Sequence, residues 1–144
     1  MLFVLDIGNS QATMGWFEGD RLVARASEPT RSDRGIGEGM RAALRQFGID
    51  RARVNGVCLA SVVPKVSKST FYFLKAEYKC DPVAVSSEVR LDLKIVYEPA
   101  KAVGADRLAN AVAGRELYGA PIIIADFGTA TTLDVVSASG EYLG

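Results

Sequence analysis

Two aspartates, Asp6 and Asp126, each close an apolar run and open an Asp-x-Gly-Asn/Thr turn. Leu2-Phe3-Val4-Leu5 leads into Asp6-Ile7-Gly8-Asn9-Ser10, and Ile122-Ile123-Ile124-Ala125 leads into Asp126-Phe127-Gly128-Thr129-Ala130. A short continuous apolar run that stops at glycine predicts a buried strand. The aspartate then stands at the strand's end, and the glycine permits a turn that brings bare backbone N–H groups to the surface. Such a turn suits a metal-bound phosphate, because N–H groups take the oxygens and the carboxylate takes the cation. Either turn alone reads as a plain β-hairpin. The two copies continue alike, through a second strand (Thr13 to Phe17; Leu133 to Val136) and a glycine turn (Gly19; Gly140). That repetition favours two phosphate loops facing each other as a nucleotide clamp.

Gly104-Ala105-Asp106-Arg107 is a third constellation. It opens an Ala-rich helix whose predicted narrow apolar face is Ala105, Leu108, Ala109, Val112 and Ala113, with Gly114 and Gly119 punctuating its end. The helix dipole alone favours an Asp in the first turn. Arg107 gains nothing from that dipole, so a paired Asp and Arg beside exposed N–H groups suits a polar substrate.

The elements that must position these groups alternate. Met1 to about Ala26 predicts three short antiparallel strands, and Glu28 to Gly35 a polar loop whose Arg31 and Arg34 could reach an anion. Ile36 to Phe47 predicts an amphipathic helix with Met40, Ala43, Leu44 and Phe47 inward, ended by Gly48. Val54 to Val63 reads as a second buried strand, Lys65 to Tyr78 as a helix, Val83 to Val85 and Leu91 to Tyr97 as strands. Ser61, at a strand end, reads as part of a Ser/Pro turn. Phe71-Tyr72-Phe73 reads as packing, since basic residues do not interleave with it densely. Alternating strands and helices between the two loops imply a layered α/β fold.

Composition narrows the chemistry. The 144 residues carry 17 basic and 17 acidic side chains, with 49% apolar and 24% charged residues, as in a soluble globular protein. Zero net charge leaves no footprint for nucleic acid or an anionic membrane, and no apolar run approaches a membrane span. The N-terminus enters a strand at once, without signal-peptide features, so a cytoplasmic location is expected. Cys58 and Cys80 lack metal spacing and read as free thiols. Histidine is absent, which excludes Ser-His-Asp and Cys-His nucleophiles and His-based zinc sites. Phosphoryl transfer tolerates that absence, because it depends mainly on positioning and charge stabilisation.

Asp6-Ile7-Gly8-Asn9-Ser10, Ser61-Val62-Val63-Pro64, Tyr97 ahead of Gly104-Ala105-Asp106-Arg107, and Asp126-Phe127-Gly128-Thr129-Ala130-Thr131-Thr132 together resemble a type III pantothenate kinase. The resemblance runs over the whole chain in order. It implies the superfamily of acetate kinase, sugar kinases, Hsp70 and actin, with a ribonuclease-H-like ATPase fold of mixed sheets and flanking helices. Residues 1–118 would form the first such domain, and 119–144 the start of a duplicated second one that is cut off at Gly144. The implied reaction is ATP-dependent phosphorylation of the terminal hydroxyl of pantothenate, the first step of coenzyme A synthesis. Asp6, Ile7, Gly8, Asn9, Ser10, Gln11, Ala12 and Thr13 would bind ATP, with Asp6 near Mg²⁺ and Thr129 also on ATP. Asp106 would be the base, and Tyr97, Gly104, Ala105, Asp106 and Arg107 would bind pantothenate. Asp126 would hold a monovalent cation, K⁺ or NH₄⁺. Ser10 stands where the family usually has Thr and retains the hydroxyl. Family members are longer and homodimeric, so the 144 residues alone are expected to be inactive.

Three other readings compete. Another small-molecule kinase of the superfamily, acting on a sugar or acetate, is separated by a substrate panel. A non-catalytic accessory relative serving transcription is separated by salt-dependent DNA binding. A chaperone- or actin-like ATPase module would have no need of Asp106 or Tyr97.

Overall fold

The computed structural model describes residues 1–30 and 33–144, the side chains of Asp33 and Arg34 excepted. The expected anion-reaching groups, Arg31 and the side chain of Arg34, therefore lie outside what is described, and residues 33–35, expected in the loop, already belong to α1 (Asp33–Gln46). Contacts divide the chain into two units, Met1–Ala84 and Val85–Gly144.

In the first unit, β1 (Leu2–Ile7), β2 (Gln11–Glu18) and β3 (Arg21–Pro29) form the expected antiparallel meander. β3 runs on to pair Pro29 with Gln11, so Glu28 and Pro29 belong to the strand and not to the predicted loop. β4 (Gly56–Ser61) then joins β1 in parallel, and β5 (Val83–Ala84) joins β4, giving the order β3-β2-β1-β4-β5. The continuous apolar runs alternate in burial, Phe3, Leu5 and Ile7 being buried and Leu2 and Asp6 exposed in β1, with Val57 and Leu59 buried in β4, so the expected burial on both faces is not seen in β1. Between them run α1 (Asp33–Gln46), and between β4 and β5 α2 (Pro64–Tyr78).

α1 turns Ile36, Met40, Ala43 and Leu44 into the core; Phe47, expected there, is instead exposed just past the helix end. Gly48 takes a positive φ of 63°, and the Gly48 and Ile49 N–H groups close back on the Arg45 and Leu44 carbonyls. That left-handed turn satisfies the last helical carbonyls. α2 starts with Pro64 in its first turn, where a missing N–H costs nothing, and buries Thr70, Leu74 and Tyr78. Phe3 is the centre of the core, its ring 4.9 Å from Trp16 and 5.3 Å from Tyr78. Cys58 is half-buried, and burial pushes its thiol up.

The second unit holds α3 (Ala105–Tyr118) and a smaller sheet of order β6-β9-β8-β7. Here β7 is Ile122–Phe127, β8 is Thr131–Val136 and β9 is Glu141–Tyr142. Of the predicted strand Leu91–Tyr97 only Lys94–Ile95 pairs, as β6 beside β9, because β9 offers two residues to bond with. The inward face of α3 is Ala105, Leu108, Ala111 and Gly114. Ala113, expected inward, is exposed, and Gly114 lies within the helix and not at its end. A Cβ on Gly114 would come within 3.0 Å of Ile124, so the missing side chain is what lets the helix lie close on β7. Gly119 ends the helix at φ 85°.

β7 departs from the prediction of a buried strand. Ile122, Ile124 and Asp126 turn toward α3, while Ile123 (70% exposed) and Phe127 (82%) face solvent, joined across the ladder by Leu133 (61%). One face of this hairpin is covered and the other is bare.

Candidate active site

The two turns are built alike but not identically. In the first, Ile7 pairs with Ala12, and the Gly8 N–H donates to the Gln11 carbonyl at 2.9 Å. In the second, Phe127 pairs with Thr131, and the Gly128 N–H donates to the Ala130 carbonyl at 3.2 Å. The second turn is one residue shorter. Each glycine's own N–H is thus consumed inside its turn. Neither glycine has a positive φ. What the first turn needs from glycine is room, since a Cβ on Gly8 would lie 3.3 Å from the Gln11 carbonyl oxygen.

Within the first turn Asp6, Asn9, Ser10 and Gln11 are exposed, whereas Ile7 and Ala12 are wholly buried and belong to the core. Those two could meet a nucleotide only through backbone. Asp6 lies directly across the ladder from Thr13, and Asp126 directly across from Thr132. An aspartate facing a threonine at the mouth of a glycine turn is therefore repeated in both units. Thr13 shares its hydroxyl with Ser27 at 3.3 Å.

Ser61 reads as predicted: its hydroxyl meets Ser67 at 2.7 Å and accepts from the Val63 N–H at 3.2 Å, fixing the turn into α2.

In the second unit α3 gathers the predicted substrate residues with residues the sequence reading missed. Gly104 caps the helix in an extended conformation, and Ala105 is buried, its side chain part of the packing. Asp106 is half-buried in the first turn, and its Oδ1 accepts the Arg107 N–H at 2.8 Å. Arg107 reaches across to β8. Its Nε and Nη2 both donate to Asp134 Oδ1, at 2.8 and 2.7 Å, and Nη2 also donates to the Leu133 carbonyl at 3.2 Å. Tyr142 adds its hydroxyl to the same Oδ1 at 2.5 Å, while Asp134 Oδ2 is buried without a hydrogen-bond partner among the described residues. Burial first, then the Asp134 carboxylate beside it, hold the Tyr142 phenol protonated far above its usual range.

One turn further along α3, Asn110 Nδ2 donates to Asp126 Oδ2 at 3.0 Å. The other oxygen, Oδ1, lies on the Gly128 side, 3.9 Å from where a Cβ on that glycine would stand. A hard oxygen aimed at the turn fits a small cation. Among the described residues no three His, Cys, Asp or Glu side chains gather as a metal cluster, so any cation here would complete its shell from backbone, substrate or water. Tyr97 rests its ring against Gly144 and is close enough to Tyr142 to be felt by its phenol. No hydrogen bond joins Tyr97 to Gly104–Arg107 among the described residues.

Asp134, Tyr142 and Asn110 escaped the sequence reading. One signal was available: Asp134 interrupts an apolar strand at an inward position, Leu133-Asp134-Val135-Val136. A charge is kept at such a position only when something holds it.

The family profile of type III pantothenate kinase matches residues 2–144. The type III pantothenate kinase of Rubrobacter xylanophilus is 43% identical over 148 residues, covering all of this chain and 56% of that protein. That of Moorella thermoacetica is 37% identical over 147 residues, again covering all of this chain and 58% of that protein. The chain thus spans about half the length of the curated relatives it matches. Among solved structures, a ROK hexokinase from Thermus thermophilus superposes with a TM-score of 0.56 at 17% identity, over 99% of this chain and 48% of that one. YeaZ from Pseudomonas aeruginosa does so with 0.53 at 13%, over 99% and 63%. At such identities the likeness shows the fold, the mixed sheets and flanking helices of the expected ribonuclease-H-like, actin/Hsp70-type ATPase architecture. By its match over nearly the whole length, the chain belongs to the type III pantothenate kinase family.

Proposed function

We propose that this sequence carries half of the machinery for ATP-dependent phosphorylation of pantothenate to 4'-phosphopantothenate. The observation that carries the reading is the first turn of α3, where a half-buried Asp106 stands beside an Arg107 fixed to β8. Asp106 accepts the proton of the substrate hydroxyl and aligns that oxygen for attack. Arg107, with Gly104 and Tyr97, binds the polar body of pantothenate. The turn from Asp6 to Thr13 takes ATP phosphates, through hydroxyls and the N–H groups beyond Gly8, and Thr129 contributes from the second turn. Bound Mg²⁺ and a monovalent cation, K⁺ or NH₄⁺, would offset phosphate charge. Asp6 is the residue suited to the first, through the phosphates, and Asp126, oriented by Asn110, to the second. On this reading residues 1–118 are one ribonuclease-H-like domain, 119–144 begin its duplicate, and the enzyme is a cytoplasmic homodimer. Among the described residues no helix is long and apolar enough to cross a membrane.

The test is ADP formation by the full-length protein, its mass verified, with Mg-ATP and pantothenate, with and without K⁺, beside Asp106→Asn. Turnover that needs both pantothenate and K⁺, and falls by about 10²–10⁴ in the variant while ATP still binds, supports the reading. A folded, ATP-binding protein without pantothenate-dependent turnover sinks it and favours the accessory relative.

A further inference from the structure

Asp134 is the only charged side chain buried to 0% exposure among the described residues. It sits on β8 opposite Ile124 and two residues from the equally buried Val136. Burying a carboxylate is costly, and a buried ion pair is weak support for stability, since apolar residues of similar volume do as well or better. The arrangement of its donors indicates what the carboxylate does instead. Arg107 Nε and Nη2 and the Tyr142 hydroxyl all converge on one oxygen, Oδ1. A guanidinium gripped along its Nε–Nη2 edge is a flat plate with a fixed plane. Its opposite edge, Nη1, has no partner among the described residues, and the side chain is 30% exposed. Tyr142 remains a donor at every physiological pH, because burial and the adjacent carboxylate keep its proton on.

We propose that Asp134, braced by Tyr142, is a positioning residue that sets the plane of Arg107 so that its Nη1 edge meets an anionic or polar group of the substrate. The proposal rests on the reading of Arg107 as a pantothenate ligand. It concerns geometry and not charge, and this makes it separable. Asparagine at 134 can place its amide oxygen where Oδ1 lies and take the same three donors, its NH₂ replacing an Oδ2 that has no hydrogen-bond partner among the described residues. Alanine cannot.

The experiment measures KM for pantothenate and for Mg-ATP in the full-length protein, or the pantothenate Kd by calorimetry where a variant does not turn over. Asp134→Ala should raise the pantothenate value about tenfold to a hundredfold, the usual effect of a misplaced binding group, and leave the ATP value unchanged. Asp134→Asn should restore most of that loss. In an Arg107→Ala background Asp134→Ala should add nothing, since the two act as one unit. An asparagine variant as poor as alanine, an ATP value rising in step, or additive losses would overturn the proposal. If Arg107→Ala leaves pantothenate binding untouched, the reading of Arg107 falls and takes the proposal with it. If Arg107→Ala weakens binding but Asp134→Ala does not, the proposal alone falls. Should Asp134→Ala fail to fold, Arg107→Lys replaces it. Lysine keeps the charge opposite Asp134 but has one nitrogen, so it should raise the pantothenate value at an unchanged melting temperature, and a native value would overturn the proposal.

Discussion

Asn110, on α3, is tied to Asp126, on β7. By holding Asp126 Oδ2 it fixes the direction of Oδ1 toward the Gly128 turn. Loss of a group that orients a metal ligand commonly costs 10–100-fold in metal affinity. On the proposed role of Asp126 as a K⁺ ligand, Asn110→Ala should raise the K⁺ concentration needed for half-maximal turnover about tenfold or more, read from a K⁺ titration with Mg-ATP saturating. A second residue-scale expectation concerns pH. Glu77 is bridged by Arg41 at 2.9 Å and Arg51 at 2.8 Å. Burial pushes its carboxyl up, but the hydrogen bonds and charges of the two arginines outweigh this and leave it below the ordinary 4.5. A depressed folded-state pKa stabilises above the unfolded-state value and loses that contribution as the pH falls through the folded one. Glu77→Gln should thus lower stability by about 1 kcal/mol near neutrality, the arginines being exposed. The difference in melting temperature from the native chain should close as acid titrates the carboxylate. At this scale the sequence made local placement legible: Asp6 and Asp126 stand at strand ends beside glycine turns, and Asp106 and Arg107 in the first turn of α3, where their neighbours put them. Asp134 and Tyr142 did not, because their meaning depends on Arg107 arriving from another element, 27 residues earlier.

The helices end by two different devices. Gly48, at φ 63°, turns α1 back on its own carbonyls, and Gly119 ends α3 at φ 85° and ψ −172°, a region open essentially to glycine alone. Gly48→Ala should cost about 1 kcal/mol and Gly119→Ala about 1–3 kcal/mol, as chemical denaturation would measure them; equal small losses would contradict the assignment. Elements with a strong period were legible, and the meander and all three helices fall within a few residues of expectation. Leu91–Tyr97 was not, because alternation records the capacity to pair and not the presence of a partner. The face of α3 was misjudged for a related reason. Glycine reads as punctuation, yet Gly114 is the point of closest packing against Ile124.

Across the whole molecule the two units differ in how fully their sheets are used. β1 carries a strand on each side, whereas β7 is the edge of its sheet, with Ile123, Phe127 and Leu133 bare beside it. An exposed apolar face with an unpaired edge promotes association. The 144-residue chain should self-associate at concentrations where an Ile123→Lys, Phe127→Lys double variant stays monomeric by light scattering. The exchange should leave the melting temperature unchanged, because neither side chain is in a core. The other unit holds a feature of a different kind. Trp16 is the single tryptophan of the chain, wholly buried against Phe3. Its emission is an optical label on Met1–Ala84 alone, blue-shifted while that core is intact and red-shifting when water enters. Circular dichroism at the same temperatures sums over both units. Coincident curves mean one cooperative transition; separated curves give the order in which the two units melt, without a label having to be attached.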